Sequence, residues 1–113
     1  MAITVPDYIR NNARQGLRWY EQGLGGDGLR PTTIREARAM AEGRVTLAKA
    51  IRMAAWLARH MTDLDAPAAQ PDHPNYPSPG VVANALWGGG NRTQAERAMA
   101  WAQSVVRMAD DEG

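Results

Sequence analysis

Few side chains in this sequence are equipped for chemistry. His60 and His73 are the only imidazoles, and Ser78 and Ser104 the only serines. Asp63, Asp65 and Asp72 lie near the histidines in sequence, which invites a metal site. Zinc needs ligands converging from firm supports, and His73 stands in a proline-rich stretch with no paired spacing. His60 falls in the last turn of a predicted helix, where an imidazole interacts favourably with the helix end. Ser78 precedes Pro79 and suits a helix cap better than a nucleophile, because it lacks the glycine frame of a nucleophile elbow. The run Gly23-Leu24-Gly25-Gly26-Asp27-Gly28 has no strand before it and no Lys-Ser or Lys-Thr after it, so it reads as a turn-rich connector, not a phosphate cradle. With no cysteine, disulfides and thiolate chemistry are excluded. The sequence therefore assigns no catalytic, cofactor-binding or metal-binding residue and predicts a protein that is not an enzyme.

Charge is the next signal. The chain carries a net charge of +1. Between Arg30 and His60, however, seven cations face only Glu36 and Glu42. Arg35, Arg38, Arg44, Lys49, Arg52 and Arg59 are the candidates for binding a partner or the phosphates of a nucleic acid. The same stretch resembles a helix-turn-helix at Ala39, Gly43 and Val45. The register then fails, since Lys49 stands where the second helix should be apolar. The competing reading is a plain helical hairpin.

These residues must be carried by helices. Ala is abundant and there are six Met, no Phe and four Trp, a composition that favours helix over sheet. Apolar residues at 44% and charged residues at 22% suit a globular chain. One domain of residues 1–113 is expected, flexible at about 1–4 and 110–113. Helix one is predicted from Pro6, capped by Thr4, with Ile9, Ala13, Leu17 and Tyr20 on its inner face. Gly16 inside that pattern marks a close helix contact. Helix two is predicted from a capping box at Thr33 and Glu36, ending at Gly43. Helix three follows the cap Thr46; Leu47, Ala50, Ile51, Ala54, Leu57 and Ala58 continue to Met61 as its apolar face, flanked by Lys49, Arg52 and Arg59. Four prolines then make residues 63–78 a long irregular loop, anchored at its far end by Tyr76. Ser78 and Pro79 open a short helix that is apolar all round through Trp87, and Gly88 and Gly89 stop it. A second capping box, Thr93 and Glu96, opens helix five. Its inner face is Ala98, Trp101, Ala102, Val105 and Met108, and its acidic end should fray. The whole is an all-α bundle of about five helices with a proline-rich loop between the third and fourth.

Trp19, Trp56, Trp87 and Trp101 fall on different predicted helices, which suggests a shared aromatic core. Tyr76, Ser78, Pro79, Trp87, Gly88 and Gly89 read as structural. They form a latch with Trp87 wedged against helix three. Trp, Met and Arg are also the residue types that interface centres favour.

Several segments taken together resemble a known family. They are Ala13-Arg14-Gln15-Gly16-Leu17, Ala37 to Gly43, Ala58-Arg59-His60, Tyr76-Pro77-Ser78 and Ala83 to Gly89, closed by Trp101-Ala102. In that order they resemble a small domain of tailed bacteriophages, found alone or attached to head-assembly proteins such as prohead proteases and other capsid-gene products. The stretch from Tyr76 to Gly89 is the most specific part. Met61-Thr62 after His60 and Pro79 before Gly80 depart from the pattern. The resemblance implies a non-enzymatic structural or assembly protein, head-associated and working through protein–protein contacts. The alternatives are a small nucleic-acid-binding protein using residues 30–60, or an inhibitor of a host enzyme or defence system. No cofactor is expected. No segment is long and apolar enough for a membrane span or a signal peptide, so host cytoplasm or virion is the expected location. No coiled-coil heptads indicate an oligomeric state.

Overall fold

The computed structural model describes residues 3–112. Met1, Ala2 and Gly113, which belong to the ends expected to be flexible, lie outside them. Among the described residues are five α-helices and no strand. They are α1 (Asp7–Glu21), α2 (Pro31–Ala41), α3 (Leu47–His60), α4 (Pro79–Leu86) and α5 (Arg92–Glu112). The chain is the expected all-α bundle, drawn out to 48 Å along one axis and 24 and 23 Å across the others. It is built from two helix pairs. α2 packs chiefly on α1 and α3 chiefly on α5, so the second and third helices do not form a packed hairpin. α4 joins the pairs, lying across α1 and delivering Trp87 to α3.

Two close approaches set this geometry. A Cβ added at Gly16 would stand 2.7 Å from the backbone nitrogen of Leu86 and 3.0 Å from the carbonyl carbon of Ala85. Only a glycine on α1 lets α4 come so near. The exit of α4 is crowded from three sides. Gly88 has φ of +87°, and a Cβ there would meet Ile9 Cγ2 at 2.9 Å and Met40 Sδ at 3.1 Å. The amides of Gly88 and Gly89 donate to the carbonyls of Ala85 and Asn84, closing the helix with a Schellman pair. α2 ends in the same way at Gly43.

Helix starts depart from expectation where a carboxylate has other work. α2 begins at Pro31, with Arg30 in the capping position and no side-chain cap. The predicted box fails because Glu36 turns away to Lys49 and Arg52 on α3. α5 begins at Arg92, not after Thr93. Its box is Asn91 and Gln94, each side chain accepting the other's backbone N–H, while Glu96 is held by Arg92 at 3.1 Å. Pro6, not Thr4, stands at the head of α1. Thr46 and Ser78 cap α3 and α4 through Lys49 N and Val81 N.

Residues 61–78 are more regular than four prolines suggest. A 3-10 turn over Met61–Asp65 continues directly from α3, and another covers Pro67–Ala69. Met61 and Leu64 are buried and pin the segment against Val81 and Ala95. The acidic end of α5 remains helical to Glu112.

The inner face of α3 is rotated from the predicted one. Ala50, Met53 and Leu57 are fully buried, Lys49 is 2% exposed, and Ile51 is 51% exposed. Leu47 and Ala58 also face out. The α3 apolar stripe is thus wider than the chain covers.

Replacing Gly16 with Ala tests the α1–α4 contact. Helix propensity alone would stabilise by about 1 kcal/mol. Overpacking against backbone, which cannot swing aside, should win and give a net loss of about 1–3 kcal/mol in chemical denaturation.

Candidate partner-binding surface

Sequence places six cations together; folding divides them into three groups. The first is Lys49 and Arg52, drawn to Glu36. Lys49 Nζ lies 3.3 Å from Glu36 Oε1, and Arg52 clamps both carboxylate oxygens at 2.9 and 2.6 Å. Lys49 Nζ also sits 3.4 Å above the Trp87 ring. That ring is stacked on Trp56 at 4.9 Å, and Trp56 on His60 at 4.3 Å. A column of two indoles and an imidazole is therefore topped by a buried ammonium. Burial pushes the Lys49 ammonium down to about 8, partly offset by Glu36. The Arg52 hydrogen bonds, aided by Lys49, hold Glu36 down at about 2. These charges tie α2 to α3 and offer little to a ligand, because one carboxylate is shared by two cations and the ammonium is out of reach of solvent.

The second group is Arg35, Arg38 and Arg44. They surround a shallow groove of about 590 Å³ on the α1/α2 pair, with Tyr20 at its rim and Leu29 and Ile34 in its floor. Arg44 is paired with Glu42 at 2.6 Å. Among the described residues, Arg35 and Arg38 have no carboxylate within ion-pair distance. Among the described residues, the side-chain hydrogen bond of Arg35 goes to the Thr32 hydroxyl, at 3.4 Å. Tyr20 is 39% exposed. An apolar floor with tyrosine and arginine beside it combines residue types that interface centres favour. Arginine forks also match carboxylates in two-point contacts. The third group is Arg59 alone, exposed near the end of α3.

The residues read as structural take up the following places. Trp87 is 9% exposed and lies against α3. Tyr76 meets Trp19 edge-on at 5.7 Å, holding the loop to α1. Pro79 occupies the first turn of α4 behind the Ser78 cap, and a Cβ on Gly89 would press on Asn84 and Leu57 at 3.0 and 3.1 Å. Trp56, Trp87 and Trp101 share one core cluster, with Trp56 stacked on Trp87, while Trp19 packs apart from them against Tyr76. Ser104 Oγ donates to the Trp101 carbonyl at 2.6 Å, and His73 Nδ1 accepts from Asn75 N. Among the described residues no three His, Asp or Glu side chains converge on a metal position.

Three residues take roles that their local sequence does not suggest. Glu36 fits a cap, yet an acid amid seven cations is signal enough for a bridging role. Lys49 fits a helix flank, yet its position in the helix-turn-helix register calls for an inward residue. Tyr20 fits the inner face of α1 and stands at the groove rim instead. Comparison with protein-family models, curated proteins and solved structures returns no match.

Glu36→Gln leaves the Lys49 ammonium buried without its counter-charge and should cost about 3 kcal/mol near neutral pH. The folded pKa of Lys49, about 8, is below its ordinary 10.5. The unfolded chain binds more protons between those values, so the Lys49 contribution rises with pH across that window, and the deficit of the variant should shrink there. On the acid side, the contribution of Glu36 is complete above 4.5 and is lost as pH falls toward 2; the variant should lack that part of the acid transition. Urea titrations at about pH 3, 7 and 10 measure both effects. Trp87→Ala should cost about 3–5 kcal/mol by the same measurement; a small loss would contradict its place in the core.

Proposed function

We propose that this chain is a non-enzymatic assembly protein of the tailed-phage type, head-associated and acting through protein–protein contacts. The α1/α2 groove is the surface that binds, and it takes an acidic segment of a protein partner. The observation that carries this reading is the pairing of Arg35 and Arg38, free of carboxylates among the described residues, with Tyr20 over an apolar floor. The phage assignment rests on the resemblance of Tyr76 to Gly89 and its companion segments. Binding to nucleic acid is less well supported, because Lys49 and Arg52 commit their charge to Glu36 and Arg44 commits its own to Glu42. Of the six candidate cations, Arg35, Arg38 and Arg59 remain uncommitted, fewer than the row of phosphate contacts that such binding uses. No helix among the described residues is long and apolar enough to cross a membrane.

The test is co-sedimentation with purified capsid, portal and scaffold proteins of a tailed phage. Binding to one of them is expected, and Arg35→Glu with Arg38→Glu should weaken it roughly a hundredfold. Absence of binding to every head component, with salt-sensitive binding to DNA instead, would replace this reading with the nucleic-acid one.

A further inference from the structure

We propose that the chain forms a two-fold symmetric homodimer through the outer face of its α3/α5 pair, the two copies running antiparallel. On α3, Leu47, Ile51, Ala54 and Ala58 follow one another at spacings of four, three and four. That is the alternation of a helix seam made to meet another helix. Within the monomer Ala54 of this seam packs against the core, while the rest meets little: Ile51 is 51% exposed, Leu47 38%, and Ala58 is exposed as well. The stripe is too short to register as a heptad repeat in the sequence, and sequence alone assigns it to the core.

The second helix supplies a matching row. Gln103, Val106 and Asp110 on α5 follow one another at spacings of three and four, and Met99, one turn before them, packs on the core. Between the two rows runs an open groove of about 630 Å³, lined by Ile51, Ala54 and Ala55 from α3 and by Gln103, Val106 and Arg107 from α5. The two helices are antiparallel. The start of α3 at Leu47 shares an opening with Ala109 and Glu112, and Met61, just past its end, packs with Ala95. Small residues (Ala54, Ala55, Ala58 and Ala100) keep the face flat enough for a second helix pair to lie close.

Charge selects the occupant. Arg59 lies one turn beyond the groove residue Ala55, at one end of the face. Asp110 and Asp111 lie one turn beyond the groove residues Val106 and Arg107, at the other end. Among the described residues, none of these three has an ion-pair partner. The carboxylates also sit at the C-terminal end of α5, where the helix dipole repels them, yet the helix holds to Glu112. A dyad perpendicular to the helices exchanges the two ends of the face. Each Arg59 then meets Asp110 and Asp111 of the second copy, and each alanine-rich seam meets its own kind. A self-complementary patch of this sort is what a two-fold interface requires, and the product is a four-helix layer of the kind that helix pairs form on packing face to face.

Sedimentation velocity over a dilution series tests the proposal. A mass of twice the chain is expected, reverting to the monomer on dilution. Ile51→Glu places a charge at the centre of the seam at a position already exposed in the monomer. It should raise the dimer dissociation constant roughly thirtyfold or more, with an unchanged helical circular dichroism spectrum. Arg59→Glu and Asp111→Arg should each weaken the dimer, and the double variant should recover it. Arg35→Glu with Arg38→Glu should leave it intact, which separates this interface from the α1/α2 groove. A monomer at every concentration would overturn the proposal. So would a dimer indifferent to Ile51→Glu, or charge swaps that fail to rescue one another.

Discussion

Gly88 is the position on which the rest of the molecule depends. It turns the chain out of α4 at a φ of +87°, at a point where Ile9 of α1, Met40 of α2 and Met53 of α3 all come within 4 Å of where a side chain would begin. No other residue type satisfies both demands, since positive φ strains an L side chain and the space is already filled. One residue earlier, Trp87 uses the same turn to reach α3 and stack on Trp56. With Gly16 letting α4 lie directly on α1, the short fourth helix closes one end of a core that Ile9, Met40, Met53 and Ala98 share across both helix pairs. A helix of eight residues has little stability of its own. It persists because most of the residues it carries are buried.

Electrostatics serve this core more than they advertise a ligand site. Glu36 collects Lys49 from beneath and Arg52 from the surface, so the most basic third of the sequence presents fewer free charges than its composition implies. Lys49 shows the compromise clearly. Its stem fills a core position and its ammonium rests on the Trp87 ring. The loss of hydration is met by one carboxylate and one aromatic face. Such an arrangement adds a polar tie between α2 and α3 beside the core that Met40 and Met53 share.

The two helix pairs are thereby left with different outer surfaces. The α1/α2 pair carries arginines and a tyrosine around a shallow apolar floor; the α3/α5 pair carries a flat alanine-rich seam with opposite charges at its ends. A small protein that self-associates through one pair and recruits a partner through the other gains a second binding arm without added chain. Linked sites of this kind strengthen attachment to a repeating surface through effective concentration, which suits the proposed role in head assembly.

The sequence by itself determined the helices, because their signals are local. Proline and serine at the first turn of α4, threonine before α3 and glycine after α2 each act within one helical turn, and periodicity marked most of the buried positions. It also determined the latch from Tyr76 to Gly89 and the close contact at Gly16, since a glycine inside a helical pattern weakens the helix unless a neighbouring backbone needs the space. Tertiary structure decided what each side chain was drawn toward. Glu36 and Glu96 fit capping boxes locally but went to cations, and those that hold Glu36 are brought near only by folding. Lys49 suits a flank until Trp87 is placed beneath its ammonium. The α3 stripe shows the same limit from the other side: periodicity reveals that a face is apolar, but only the packed chain reveals how much of it the molecule covers. Partner choice depends on contacts between residues far apart in sequence, and those are made by α4 crossing α1 and by Gly88 turning the chain inside the core.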